Sequence, residues 1–298
     1  MKQAYLIAAF TNYEHLKILI ETLDSKDTLL FLGIDAKSEY PSFIRELHTC
    51  NPIVVLHDKR VEWGDQSLIV MELDLFAKAY ENPEIEWFHL ISGTDFPLRS
   101  IDEINKFFEE SKDIDGFMES EPLPDHLTDR VELYHLYVRR PSENGLILNW
   151  ITRKLLAMQR RLKICRKHPK GKPFMYGSNW VDLRRRAVEV LLSKSREILR
   201  VTKLAACADE IYKQTFLQGQ GLSIMDDNLR YIDWSARKPS PKSLKVEDFQ
   251  NIMRSGKLFA RKFDSPESPQ LRDMIIESIN GMQPESNTIV ERNDALAK

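Results

Sequence analysis

Hydrophobic positions in the first 120 or so residues switch between two periods. Tyr5-Leu6-Ile7-Ala8-Ala9-Phe10 is an unbroken apolar run, as a strand buried on both sheet faces requires, and Asn12 to Leu23 follows with Leu16, Leu19, Ile20 and Leu23 at helical spacing. The same alternation predicts strands over Thr28 to Ile34, Ile53 to Leu56, Trp87 to Ser92 and Gly116 to Glu119, and helices over Ser42 to His48, Gln66 to Tyr80 and Ile101 to Ser111. Such alternation implies right-handed crossovers and an α/β fold whose mainly parallel sheet is covered by helices. Ligands of these sheets bind beyond the carboxyl ends of the strands.

The second half is less regular. Helices are predicted over Asn149 to Cys165, Arg184 to Ser193, Ala208 to Leu217, Val246 to Met253 and about Gln270 to Ile279, with short strands over Phe174 to Tyr176 and Leu229 to Asp233. Lys238-Pro239-Ser240-Pro241 reads as a loop. No linker separates the halves, so residues 1–283 are expected to form a single domain, with a parallel-sheet nucleotide-binding half to about 120 and a mixed half after it. The polar stretch 284–298 reads as a disordered tail.

Composition narrows the function. The 298 residues are 42% hydrophobic and 30% charged, an ordinary soluble globular balance. With 43 Lys+Arg against 45 Asp+Glu there is no global field to recruit nucleic acid, so any polyanion must be bound locally. Cys50, Cys165 and Cys207 are widely spaced, which argues against a disulfide framework or a structural zinc site and fits a reducing compartment. The run Ala4 to Phe10 is too short to span a bilayer and lacks the flanks of a signal peptide, so the expected location is cytoplasmic.

Four segments place polar residues against structural punctuation. Leu90-Ile91-Ser92-Gly93-Thr94-Asp95-Phe96-Pro97-Leu98 carries an apolar strand directly into Ser, Gly and Asp, and its plain reading is an Asx turn closing a strand. Cys207-Ala208-Asp209-Glu210 opens a predicted helix, where the macrodipole favours an ionised carboxylate able to accept a proton; helix-start capping explains Asp209 completely and Glu210 nearly as well. Gly256 to Phe263 brackets Arg261 and Lys262 with aromatics. In an extended segment these two cations face opposite ways, and a solvated edge strand is the plain alternative. Tyr176-Gly177-Ser178-Asn179-Trp180 precedes the Arg-rich Leu183-Arg184-Arg185-Arg186.

In this order the segments resemble the core-2/I-branching enzyme family, glycosyltransferase family 14, which contains the branching β-1,6-N-acetylglucosaminyltransferases and the peptide O-xylosyltransferases. The resemblance runs from about residue 3 to 264. It is carried by Ala4-Tyr5-Leu6-Ile7, Gly33-Ile34-Asp35-Ala36-Lys37-Ser38, Val61-Glu62-Trp63-Gly64-Asp65-Gln66-Ser67, the Ser92 to Leu98 block, Gly177-Ser178-Asn179-Trp180, Asp209-Glu210, Arg230-Tyr231-Ile232-Asp233-Trp234 and Leu258-Phe259-Ala260-Arg261-Lys262-Phe263-Asp264. The Ser-Gly-x-Asp-Phe-Pro-Leu and Phe-Ala-Arg-Lys-Phe-Asp blocks are specific when found together.

The resemblance implies a GT-A glycosyltransferase fold, a UDP-sugar donor (UDP-GlcNAc, with UDP-xylose the alternative), inversion at the anomeric carbon, and no cofactor or divalent metal. It makes Glu210 the catalytic base and gives Lys262 the diphosphate, with a second cation at Arg237 or Lys238. Donor contacts fall on Phe10, Asp35, Trp63, Ser92, Gly93, Asp95 and Arg261 as well; acceptor contacts fall on Glu119, Glu121, Trp180, Asp209 and Trp234. A non-catalytic sugar-nucleotide or glycan-binding module of the same fold is the rival. Animal members carry an anchor, a stem and disulfides, so the chain reads as a bacterial, cytoplasmic relative adding sugar to a surface polysaccharide or glycoconjugate. Asp113-Ile114-Asp115 has the Asp-x-Asp spacing of metal-dependent GT-A enzymes but precedes a strand, and reads as a surface turn.

One feature stands apart from the family. From Asn144 to Val181 there is no acidic residue, while Arg153, Lys154, Arg160, Arg161, Lys163, Arg166, Lys167, Lys170 and Lys172 supply nine cations. Ile151, Leu155, Met158, Leu162 and Cys165 share a helical stripe. The plain reading is a surface helix with that stripe in the core. The other is a basic surface over 150–172 that docks on anionic lipid headgroups at the inner face of the membrane, or on a lipid-linked glycan acceptor.

Overall fold

Most strands and helices of the first half of the chain take the places their periods predict. A computed structural model describes residues 1–10, 12–136, 138, 146–166, 173–236 and 240–281, so the predicted tail and Arg237 and Lys238 lie outside the described residues. In chain order the first elements are β1 (Lys2–Ala9), α1 (Tyr13–Leu23), β2 (Thr28–Ile34), β3 (Val54–Leu56), α2 (Gln66–Tyr80), β4 (Ile85–Ser92), β5 (Asp95–Pro97), α3 (Ile101–Glu110), β6 (Gly116–Phe117) and β7 (Glu121–Pro122). After them come α4 (Asp129–Glu132), α5 (Leu146–Arg161), β8 (Met175–Tyr176), β9 (Val181–Arg184), α6 (Arg185–Ser193), α7 (Ser195–Thr202), α8 (Tyr212–Leu217), β10 (Ile224–Met225), β11 (Arg230–Ile232), α9 (Phe249–Arg254), β12 (Phe259–Arg261) and α10 (Ser268–Gly281).

The main sheet has seven strands in the order β10-β6-β9-β4-β1-β2-β3. β4, β1, β2 and β3 run parallel, and β9 lies antiparallel between β4 and β6. Successive side chains of a strand point to opposite faces, which explains why β1 is apolar throughout. Leu6 and Ala8 face one core with α2, α6, α7 and α8, while Tyr5 and Ile7 face another with α1, α3, α9 and α10. Each Leu or Ile buried there contributes roughly 1.5–3 kcal/mol. Helix starts are capped locally: Asp65 accepts from the Ser67 N–H at 2.8 Å, and Ser100 and Glu103 form a capping box. This is the expected mainly parallel, Rossmann-like sheet flanked by helices, with a mixed second half.

A smaller sheet of order β11-β12-β5 lies against this frame. β12 is fully buried, because β11 and β5 hydrogen-bond to its two edges; the solvated edge strand is thereby excluded. One buried polar cluster ties the two sheets. Arg230 of β11 ion-pairs with Asp182 of β9, whose Oδ1 lies 2.9 Å from His89 Nδ1 of β4. Burial pushes Asp182 up, yet the Arg230 guanidinium and His89 outweigh that and hold it below the ordinary carboxylate range.

Several predicted elements are broken or shortened: Ala208 to Leu217 divides into a 3-10 turn, Ala208–Glu210, and α8, and Val246 to Met253 opens with a 3-10 turn, Val246–Asp248, before α9. Ser42 to His48 forms only a 3-10 turn, Ser42–Arg45, with no side-chain cap. Gly116 to Glu119 pairs over two residues. The α5 stripe is also inverted: Ile151, Met158, Leu162 and Cys165 are exposed and Leu155 is half-buried. Polar clamps hold this segment instead. The Gln159 side chain bonds both the N–H and the C=O of Tyr134, Arg160 pairs with Asp129, and Arg166 donates to the carbonyls of Val131, Val201 and Lys203.

The inter-sheet cluster yields a stability prediction. Arg230→Met leaves Asp182 as a buried, partly uncompensated charge, so urea denaturation should show a loss of about 3–5 kcal/mol. A loss below about 1 kcal/mol would show that the cluster does not tie the sheets.

Candidate active site

The carboxyl ends of β1, β2 and β4 open on a cleft of about 1220 Å³. Ala8 and Phe10 line it at the end of β1, Asp35, Lys37 and Ser38 after β2, and Ser92, Gly93 and Thr94 at the end of β4. Asp35 is held by the N–H groups of Lys37 (3.0 Å) and Val61 (3.2 Å). At Gly93 the N–H donates to Ala8 O at 2.8 Å, and a Cβ would stand 2.9 Å from the Ala9 Cβ, so only glycine lets the backbone come this close. Trp63 stands exposed at the rim.

The predicted site residues Phe10, Asp35, Trp63, Ser92, Gly93, Glu119, Glu121, Trp180, Asp209, Glu210, Trp234, Arg261 and Lys262 all line this one cleft. Asp95 does not. It is fully buried beneath the wall, where Oδ2 accepts from the Ser92 N–H at 3.1 Å and Oδ1 lies 3.5 Å from Arg261 Nε. Asp95 therefore shapes the Ser92 turn and seats Arg261 rather than meeting a ligand.

Arg261 and Lys262 share the cleft, against the expectation that they face opposite ways. The strand β12 ends at Arg261, so the alternation of side chains stops there and Lys262 is free to turn toward the same space. The Arg261 guanidinium lies 4.4 Å over the Trp180 indole, and Lys262 Nζ is 2.6 Å from Asp264.

Carboxylates gather around the turn Ala208–Glu210. Arg130 of α4 donates to Glu210 Oε2 at 2.6 Å, and the Gly177 N–H donates to the Glu210 carbonyl at 3.0 Å. A Cβ on Gly177 would fall 2.0 Å from the Glu119 carbonyl oxygen, so this glycine lets two backbone segments touch beneath the site. The turn is a 3-10 segment with no side-chain cap, so neither macrodipole nor capping governs Asp209. Its Oδ1 is buried without a hydrogen-bond partner, and burial, then the Glu210 and Glu72 carboxylates, push its pKa up to about 7. Burial also raises Glu119.

Behind the turn lies a buried brace. Glu72 of α2 accepts from Asn179 Nδ2 (2.7 Å), Tyr212 Oη (2.9 Å) and Lys213 Nζ (3.0 Å), and Lys213 Nζ also donates to the Asp209 carbonyl at 3.2 Å. Sequence reasoning missed Arg130, Glu72 and Lys213. Only Asn179 carried a signal, through its Gly-Ser-Asn-Trp block. Asp115 lies outside the cleft, accepting from the Ser223 N–H at 2.9 Å and pairing with Arg186 at 3.3 Å, so it serves the local fold. Among the described residues no group of three or more His, Cys, Asp and Glu side chains is placed to hold a metal ion.

One cleft thus presents carboxylates able to take a proton, cations able to meet a polyanion, and indoles able to pack on a sugar ring. The family model described as Core-2/I-Branching enzyme matches residues 3–253. Xylosyltransferase 2 of Rattus norvegicus is 24% identical over 301 residues, covering 90% of this chain and 32% of its own length. Xylosyltransferase 2 of Homo sapiens is 22% identical over 299 residues, covering 90% and 32%. The chain spans about a third of the length of these curated relatives. Among solved structures, mouse xyloside xylosyltransferase 1 in its apo form aligns with a TM-score of 0.40 at 11% identity, covering 87% of this chain and 97% of that one.

The raised Asp209 carboxyl makes stability pH-dependent. The folded chain keeps a proton that the unfolded chain has lost between the ordinary carboxylate range and about 7, so stability falls as pH rises through that window. Asp209→Asn removes this contribution: thermal unfolding should show a smaller drop in Tm from about pH 5 to about pH 8 than wild type. An unchanged drop would mean that Asp209 ionises normally.

Proposed function

The chain belongs to the Core-2/I-Branching enzyme family, and from that premise we propose that it is an inverting glycosyltransferase that moves a sugar from a UDP-sugar to a hydroxyl of a glycan. The observation that carries this reading is the shared cleft of Glu210, Arg261 and Lys262. Inversion needs one base and one means of stabilising the leaving diphosphate. In the proposed reaction Glu210 takes the proton of the acceptor hydroxyl as its oxygen attacks the anomeric carbon. The bond from that carbon to the β-phosphate oxygen breaks, and Arg261 and Lys262 meet the growing phosphate charge, a task that other glycosyltransferases give to a metal ion. Arg130 aims the Glu210 carboxylate, and the indoles of Trp180 and Trp234 offer surfaces for sugar rings.

GlcNAc is the leading donor sugar. Xylose is the second reading, favoured by the name of the mammalian relatives. Turnover of UDP-GlcNAc against UDP-xylose by the purified chain separates them. A non-catalytic module of the same fold would bind UDP and turn over neither.

Glu210→Gln keeps the shape of the side chain but removes the proton acceptor, so turnover should fall by about 10²- to 10⁴-fold with donor affinity little changed. Wild-type turnover in this variant would remove Glu210 as the base. Lys262→Ala and Arg261→Ala should each weaken UDP binding about tenfold or more by calorimetric titration, since charge-assisted hydrogen bonds contribute about 1.5–3 kcal/mol. Arg261→Ala should also lower Tm, because Asp95 then loses its buried partner. Unchanged UDP affinity in both variants would remove the diphosphate from this end of the cleft. Transfer should persist in excess EDTA, and a loss restored by Mn²⁺ would refute metal independence.

A further inference from the structure

Helix α5 presents an apolar stripe that nothing in the described structure covers. Ile147 is 77% exposed, Met158 47% and Leu162 59%, with Ile151 between them on the same side of the helix. Trp150 is 61% exposed beside this stripe, and Lys154 Nζ lies 5.7 Å from the centroid of its ring. Soluble proteins seldom leave so much contiguous apolar surface in water without a use for it. The helix is fastened from its inner side by polar groups, Gln159 to the Tyr134 backbone and Arg160 to Asp129, so the fold does not need the stripe for its own core.

The charge beside the stripe selects the occupant. Residues 146–166 contain no Asp or Glu. Among the described residues Arg153, Lys154, Arg161 and Lys163 are exposed and none has a carboxylate within ion-pair distance. A second copy of this face would bring these cations against their own images, which like-charge repulsion opposes. An anionic bilayer supplies both complements, acyl chains for the isoleucines and Trp150 and headgroup phosphates for the lysines and arginines.

We propose that α5 is an interfacial helix by which the chain docks on anionic membranes, with Ile147, Trp150 and Ile151 entering the headgroup boundary. The docked helix adjoins the cleft through α4, where Asp129 pairs with Arg160 of α5 and the next residue, Arg130, pairs with Glu210. Docking would thus present the cleft to acceptors held at a membrane surface. The docking itself does not rest on the glycosyltransferase reading, since its test measures binding alone.

The test is sedimentation of the full chain with vesicles of phosphatidylcholine alone or of phosphatidylcholine mixed equally with phosphatidylglycerol. Wild type should sediment with the mixed vesicles, not with the neutral ones, and should release as salt is raised. Lys154→Ser with Arg161→Ser should weaken binding roughly 25-fold, about fivefold for each cation removed. Ile147→Ser with Trp150→Ser should weaken it by about tenfold or more. These residues are exposed and outside the cleft, so both variants should keep the wild-type melting profile. No sedimentation with the mixed vesicles, equal sedimentation with neutral ones, or variants that bind as wild type would each overturn the proposal. A dimer broken by Ile147→Ser with Trp150→Ser, in a chain that does not sediment, would overturn it in favour of self-association.

Discussion

Glu72 and Lys213 form an ion pair fully removed from water, and the Asp209-Glu210 wall of the cleft is built upon it. Taking two charges out of water costs several kcal/mol each, offset only when every remaining donor and acceptor is used. Here Asn179 and the Tyr212 hydroxyl fill the other positions around Glu72. The pair thereby fixes three chain segments that sequence separates: α2, the Gly177 to Trp180 loop and α8. Because Lys213 also holds the Asp209 carbonyl, the brace sets where the Asp209-Glu210 turn stands. The same arrangement puts a carboxylate at Glu72 behind Asp209 and helps to keep the Asp209 proton on. Packing of an ordinary amphipathic helix is thus connected to the ionisation of a group in the cleft.

A second layer of polar contacts ties the cleft to its surroundings. Asp182, Arg230 and His89 join the two sheets, and Asp95 seats both the Ser92 turn and Arg261. On the other side, adjacent residues of α4 reach in opposite directions, Arg130 to Glu210 and Asp129 to Arg160 of α5. Carboxylates and cations that line one cleft would attract each other across it if their supports were loose. Fixed partners behind each group keep them apart for a ligand to use.

Periodicity was enough where a segment's environment is simple. Thr28–Ile34 and Gln66–Tyr80 match their predicted bounds, because a doubly covered strand and a capped amphipathic helix each leave one unambiguous pattern. The resemblance makes Asp95 a donor contact, but its motif marks a turn without saying which side of the turn faces the cleft, and Asp95 lies buried beneath the wall. Alternation turns Arg261 and Lys262 apart only while a strand continues, and β12 stops between them. For α5, spacing shows which residues share a face but not what covers that face. Arg130 left no local signal at all, since its contact joins residues 80 positions apart.

Glu210 as base with Arg261 and Lys262 as counter-charges is the centre of this account, and stereochemistry tests it most directly. Proton NMR of the product formed by the purified chain from an α-linked UDP-sugar and a glycan acceptor, recorded in excess EDTA, reads the new anomeric configuration. Single displacement assisted by one base predicts a β-linked product. An α-linked product, or release of UDP with no sugar on the acceptor, would contradict it.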